Sequence, residues 1–204
     1  MIEPKPTVYA GRHFRSRLEA MWAAFFDAMA WRWTYEPAPP LLDDYQPDFL
    51  VDIAGRPMFV ETKPEAYVGW TERHTADIER WTRHVVASVP VDLLVLIGRP
   101  GRWSEGRLDP TAVNDSSLLW YLDLDGVPAS LGVWFTGCDV CGEAGLSSLG
   151  WPYRCRCLRD RMQRLPRSLM AAAESVRSRS WDRHGADQPQ AHHLARPMPN
   201  RPER

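Results

Sequence analysis

Asp48, Glu61 and Lys63 stand within sixteen residues of one another, in the segments Pro47-Asp48-Phe49 and Glu61-Thr62-Lys63. Side chains on a strand alternate between faces, so Glu61 and Lys63 point the same way, with Phe59, while Val60 and Thr62 point the other. The apolar run Met58, Phe59, Val60 makes such a strand half buried. A carboxylate and an ammonium there cost free energy unless they are paired or hold an ion. Ala54-Gly55-Arg56 spells a tight turn, and a hairpin closed by it brings Asp48 beside Glu61. Two carboxylates held close repel each other, and a hard divalent cation relieves the repulsion. Mg²⁺ is bound in this way, by one or two carboxylates together with water and phosphate oxygens, and Mn²⁺ accepts the same ligands.

Such a metal polarises a phosphoryl group and acidifies a bound water. Lys63 is placed to orient that water or to stabilise charge developing on the phosphate. These are the parts of a phosphodiester hydrolase. The elements that would position them form an α/β pattern. Phe14, Leu18, Met21, Trp22, Phe25 and Met29 recur at helical spacing and predict a helix over 14–29. Strands are predicted at 33–37, 47–53 and 58–63, a helix at 71–88, and a strand buried on both faces at 91–97. A further hairpin is predicted over 117–135, turning at Asp125-Gly126, and a short surface helix over 168–179.

Pro47-Asp48 with Glu61-x-Lys63, set behind an acidic helix reading Arg15-Ser16-Arg17-Leu18-Glu19-Ala20, resembles the signature of the PD-(D/E)XK nuclease superfamily. The resemblance covers roughly residues 9–100. It implies a restriction-endonuclease-like fold, a mixed central sheet flanked by helices. It implies Glu19, Asp48 and Glu61 as ligands of a catalytic Mg²⁺ or Mn²⁺, Lys63 as the residue assisting the attacking water, and DNA as the substrate. The wording Tyr35-Glu36-Pro37 and the proline that follows Lys63 resemble small nucleases of phages, mobile elements and transposons; the TnsA-like transposon endonucleases share this layout. Some exonuclease branches carry a glutamine and a tyrosine on the helix after the lysine. The segment Thr71 to Trp81 has neither, which speaks against that branch. Glu36 is either a strand-end surface acid or a further site residue. Asp43, Asp44, Asp52, His74 and His84 read as solvated positions.

A second constellation is Cys138-x2-Cys141 and, thirteen residues on, Cys155-x-Cys157. Four thiolates so spaced can wrap one tetrahedral Zn²⁺, and a site with four protein ligands is closed and structural. Gly142 permits the backbone of a zinc knuckle; free or redox-active thiols are the alternative. Arg154, Arg156 and Arg159 are interleaved with the second pair, beside Trp151 and Tyr153, a mixture that suits nucleic-acid contact.

The chain as a whole has a net charge of -1, but the charge is divided unevenly. Residues 151–204 hold twelve arginines and five acids, against 13 basic and 21 acidic groups before them. An acidic body with a basic C-terminal segment suits a carboxylate metal site and an arm that meets phosphates; a solubilising tail is the plainer account. No apolar run approaches membrane-spanning length and the N-terminus lacks a signal-like segment, so a cytoplasmic protein is expected. The organisation predicted is a nuclease domain over 8–130, a cysteine zinc-binding element over 134–160, a short helix within 161–181 and a disordered basic tail over 182–204. Expected partners are DNA and either a second copy of the chain or a partner protein of a mobile element. Two other functional classes fit the same residues. One is a DNA-binding or assembly module that keeps the nuclease fold without cutting. The other is a zinc-finger interaction protein in which the cysteine knuckle is the working part.

Overall fold

The computed structural model describes residues 4–37, 46–64 and 91–100, the strands between 103 and 148 with the knuckle turn, Cys155, Cys157, residues 162–163 and 167–179, and Trp181. The chain opens with a hairpin, β1 (Thr7–Tyr9) and β2 (Arg12–Phe14), closed by Ala10-Gly11, both at positive φ. Helix α1 follows over Arg17–Ala28. Next come β3 (Arg32–Tyr35), β4 (Phe49–Ile53), β5 (Arg56–Lys63) and β6 (Asp92–Ile97). A two-stranded ribbon, β7 (Trp103–Ser104) and β8 (Arg107–Leu108), stands apart from the main sheet. Then β9 (Leu118–Leu124), β10 (Val127–Cys138), β11 (Ala144–Ser148) and β12 (Met162–Gln163) precede helix α2 (Arg167–Arg177). The main sheet has the order β11-β10-β9-β6-β5-β4-β3, with β12 added on β10. Among the described strands of this sheet, only β5 and β6 run parallel and the other ladders are antiparallel. The protein is thus a mixed α/β structure.

The predicted helix over 14–29 begins later than its periodicity implied. Phe14 closes the first hairpin, and the helix starts behind Ser16, whose side chain accepts from the Glu19 N–H. A serine hydroxyl satisfies one of the orphan N–H groups of a helix N-terminus, and that cap, not the apolar spacing, sets the boundary. Phe14 is buried all the same, packing its ring on Tyr35 and Phe49, which is why it fell in step with the helix's apolar face. Between β4 and β5 the turn is the two residues Ala54-Gly55, both at positive φ, the twist that favours tight hairpins; Arg56 already belongs to β5. The middle of β5 is also more enclosed than a half-buried strand, for Met58 through Thr62 are all buried. The run Leu93–Ile97 is buried on both faces as expected.

One face of the sheet carries Phe49, Val51, Ile53, Met58, Val60, Leu94 and Leu96, and these join Trp22, Phe25, Phe26 and Trp31 in a single core. The core extends through the C-terminal elements. Phe135 of β10 lies 5.7 Å from the Phe25 ring and 5.5 Å from Trp31. Ala172, Ala173 and Val176 of α2 and the following Trp181 are also core residues. The helix near 168–179 lies at the surface with Ala171 and Glu174 exposed, but its other face, with Ala172, Ala173 and Val176, packs into the core. The expected division between 130 and 134 falls inside the continuous strand β10. The predicted helix over 71–88, the turn Asp125-Gly126, Asp43, Asp44, His74, His84, Arg154, Arg156, Arg159 and the tail beyond 181 lie outside the described residues. Among the described residues no helix is long and apolar enough to cross a membrane.

Candidate active site and cysteine metal centre

The register of the β4–β5 hairpin decides where the acids meet. Phe49 pairs with Val60, so Asp48, one residue before β4, falls opposite Glu61. Lys63 ends β5 against Ile97, the last residue of β6. The start of β4 and the ends of β5 and β6 therefore form one margin of the sheet. Arg15, just before the N-cap Ser16 of α1, reaches this margin at Asp48, and Glu19 follows in the first turn of the helix. The loop leaving β6 is fixed at the same margin, its Gly98 N–H donating to the Lys63 carbonyl at 2.7 Å and its carbonyl accepting from the Trp22 indole at 2.9 Å.

Three carboxylates in this region are almost fully enclosed: Asp48 is 4%, Glu19 7% and Glu61 7% exposed. Such burial is costly unless each oxygen finds a partner. Asp48 Oδ2 accepts from the Thr62 N–H at 2.7 Å and the Thr62 hydroxyl at 2.8 Å. Asp48 Oδ1 accepts from Arg15 Nη2 at 2.8 Å. Glu61 Oε1 accepts from Lys63 Nζ at 2.5 Å. Glu19 accepts from the Ser16 hydroxyl at 2.8 Å and the Tyr35 hydroxyl at 2.5 Å. Tyr35 in turn accepts from the Arg15 N–H at 3.1 Å, and Arg15 Nε reaches Glu36 at 2.9 Å.

Electrostatics tie these groups together. Burial, then the neighbouring charges of Glu61 and Glu19, push the Asp48 carboxyl up to about 7 against the pull of its two Thr62 bonds. Burial and the bond to Glu19 raise the Tyr35 phenol well above its usual range. Among the described residues the carboxylates Glu19, Glu36, Asp48 and Glu61 lie in one network with the cations Arg15 and Lys63. Among the described residues Glu19, Asp48 and Glu61 do not bring three ligand atoms within 4.8 Å of one another, so three carboxylate ligands for a divalent cation are not assembled here. The donor set fits such an ion best through Asp48 and Glu61, since Mg²⁺ needs only one or two carboxylates beside water and phosphate. Glu19, expected as a third ligand, has both oxygens turned to Ser16 and Tyr35, so its effect on the site is through charge and through the placement of Tyr35.

No family model, curated protein or solved structure matches this chain. The hairpin register places Asp48 opposite Glu61 and Lys63 on the same margin, and Glu19, named only through the resemblance, adds its charge to that of Asp48. Arg15, Tyr35 and Thr62 belong to the same network and were not singled out for it. Thr62 alternates with Glu61 along the strand, yet its N–H and hydroxyl both reach Asp48 Oδ2. Glu36 joins through Arg15.

The cysteines form a second centre. Cys138 ends β10, and Cys141 follows in the turn. There the Gly142 N–H donates to the Cys138 carbonyl and the Cys138 N–H to the Glu143 carbonyl, both at 2.8 Å, with Gly142 at a φ of 74°. Among the described residues, only these four cysteines form a group of three or more ligand atoms all within 4.8 Å of one another. The Cys138–Cys157 and Cys155–Cys157 sulfurs are 3.5 Å and 3.0 Å apart. A disulfide needs about 2.05 Å, whereas Zn–S bonds of about 2.3 Å set tetrahedral sulfurs about 3.8 Å apart. All four are free thiols in a cluster that could hold a metal such as zinc. Backbone N–H groups of Cys141 and Val140 aimed at its sulfur lower the Cys138 thiol to about 6, favouring the thiolate a metal binds. The Cys155 thiol is pushed up to about 12, first by its bond to Cys157.

Proposed function

We propose that the chain is a metal-dependent nuclease that hydrolyses DNA phosphodiester bonds, with Asp48, Glu61 and Lys63 as its centre and a structural zinc on the four cysteines. The observation that carries the reading is the register Phe49 to Val60, which sets Asp48 opposite Glu61 with Lys63 on the same margin. A divalent cation on Asp48 and Glu61 would supply Lewis acidity toward a phosphoryl oxygen and a water of lowered pKa. Asp48 is oriented for this by Thr62, whose N–H and hydroxyl fix one of its oxygens. Lys63 is held at Glu61, where its ammonium can orient the attacking water and offset charge on the phosphate in the transition state. Water attacks phosphorus, the P–O bond to the leaving strand breaks, and the leaving oxygen takes up a proton. DNA as substrate, and the endonuclease type of a phage or mobile element, rest on the resemblance to PD-(D/E)XK nucleases.

The test is cleavage of labelled linear and closed-circular DNA with Mg²⁺ or Mn²⁺, beside Lys63→Ala. Wild type should cut, and the variant should lose about 10²–10⁴-fold in rate, the range for a positioned proton-handling or charge-stabilising group. Cutting of closed circles identifies an endonuclease. A protein that cuts neither form with either metal is not a nuclease.

A second reading has its own observation. Each buried carboxylate already has a partner in Arg15, Lys63, Thr62, Ser16 or Tyr35, as in a purely structural ion-pair network. On this reading the chain is a DNA-binding module, and it retards DNA equally well with Lys63→Ala.

A further inference from the structure

We infer that Arg15 competes with the divalent cation for Asp48 and, once displaced, holds the phosphate of the substrate; the inference rests on the nuclease reading above.

The two oxygens of Asp48 are not equivalent. Oδ2 is committed to two donors of Thr62, on a strand that cannot move without breaking the sheet. Among the described residues Oδ1 has one partner, the Nη2 of Arg15 at 2.8 Å. A cation that joins Asp48 through Oδ1 must therefore displace a guanidinium. Arg15 can yield at small cost. Its side chain is 56% exposed while that of Asp48 is 6% exposed, so the guanidinium reaches the acid from the solvent side and returns to water when it leaves.

It also cannot go far. The Arg15 N–H donates to the Tyr35 hydroxyl, the next residue caps α1, and Nε is paired with Glu36 at 2.9 Å. Swung off Asp48 and still tethered by Glu36, the planar fork keeps its Nη groups at the mouth of the site. A guanidinium stays charged at any pH the protein meets, is weakly hydrated, and matches two oxygens of a phosphate at once. A divalent ion repels it from Asp48, and the phosphodiester that the ion attracts supplies its new partner. Arg15 thereby couples metal entry to substrate binding.

The experiment uses the whole 204-residue chain, zinc-loaded, and two readouts. Free Mn²⁺ is followed by its electron paramagnetic resonance signal during titration of wild type, Arg15→Gln and Arg15→Lys. Binding of a short labelled DNA duplex is followed by anisotropy with Ca²⁺ in place of Mg²⁺, over a range of salt. Arg15→Gln should bind Mn²⁺ about threefold or more tighter, because a competing charge is gone from a buried carboxylate. The same variant should bind DNA about tenfold more weakly whatever the duplex sequence, with the salt slope reduced by about one phosphate contact. Arg15→Lys keeps a cation and should restore Mn²⁺ affinity to near the wild-type value. A merely structural arginine would leave Mn²⁺ affinity unchanged or lower it, and that result overturns the inference, as does unaltered DNA binding. If wild type itself takes up no Mn²⁺ beyond its cysteine centre, the nuclease reading falls and this inference with it. If wild type binds Mn²⁺ and DNA but the variant does not differ, only the role of Arg15 falls.

Discussion

Asp48 carries the sharpest consequence at the scale of single residues. Its carboxyl is raised from near 4 in a free chain to about 7 in the folded protein, first by burial and then by Glu61 and Glu19. Between those values the native state holds a proton that the unfolded chain has released, so stability falls as pH rises through about 7. Thermal melts without added divalent metal should thus show a melting temperature that drops from pH 5.5 to pH 8, and Asp48→Asn should flatten that slope. Added Mg²⁺ should raise the melting temperature most at the alkaline end, where the carboxylate is free to bind it. A slope of opposite sign would mean that Asp48 is not the protonated member of the cluster. Tyr35 offers a second test. Tyr35→Phe leaves the buried Glu19 without its shortest hydrogen bond. Loss of a partner by a buried charged group costs about 1–3 kcal/mol or more, read as a shift in the urea midpoint at unchanged m-value.

At the scale of elements, α1 is fixed at both ends of its function. Its N-terminus delivers Ser16 and Glu19 to the site, and its body lays Trp22, Phe25 and Phe26 on the sheet. The cap is weaker than the core contact. Ser16→Ala should cost about 0.5–2 kcal/mol, the range for a lost N-cap, and it also removes a donor to Glu19. Phe25→Ala should cost about 3–5 kcal/mol, because the ring packs on Trp22, Phe26, Trp31 and Phe135 and its removal leaves a cavity. Denaturant titration of the two variants should give that order; a larger loss for Ser16→Ala would show that the Glu19 network, more than the aromatic core, holds the helix.

At the scale of the whole molecule, the cysteine centre and the acidic site share one sheet. Cys138 is the last residue of β10, and three residues earlier Phe135 of the same strand packs on Phe25 of α1. Gly137 and Cys138 also pair with β12, which precedes α2. A metal on the cysteines would therefore brace the core and not a separable appendage. Zinc content should be one per chain by elemental analysis. Chelation or Cys138→Ser should lower the single melting transition of the whole protein and not produce an early local one. A chelated protein that melts as before would show that the cluster carries no structural metal.

How much of this was legible in the sequence differs from part to part, for physical reasons. The period-2 alternation of β5 put Glu61 and Lys63 on one face, the Ala54-Gly55 turn brought Asp48 back to them, and the cysteine spacing with Gly142 predicted one cluster. Each of these follows from the few residues of one strand, one turn or one knuckle, and the chain alone determines them. Periodicity starts α1 too early because Phe14 sits at helical spacing from Leu18 while its backbone closes a hairpin; a buried ring looks the same to periodicity in either state. The core role of the second helix was not legible because Ala172 and Ala173 mark a close packing surface only once a partner is known. Arg15, Tyr35 and Thr62 escaped for the same reason. Their role is a matter of reach across elements 20 to 33 residues apart for Arg15, and of bonds to a carboxylate 14 residues away for Thr62. Local spacing determines which side chains share a face, whereas partners distant in the chain are decided by the tertiary structure, since only there do burial and charge act on residues that sequence order keeps apart.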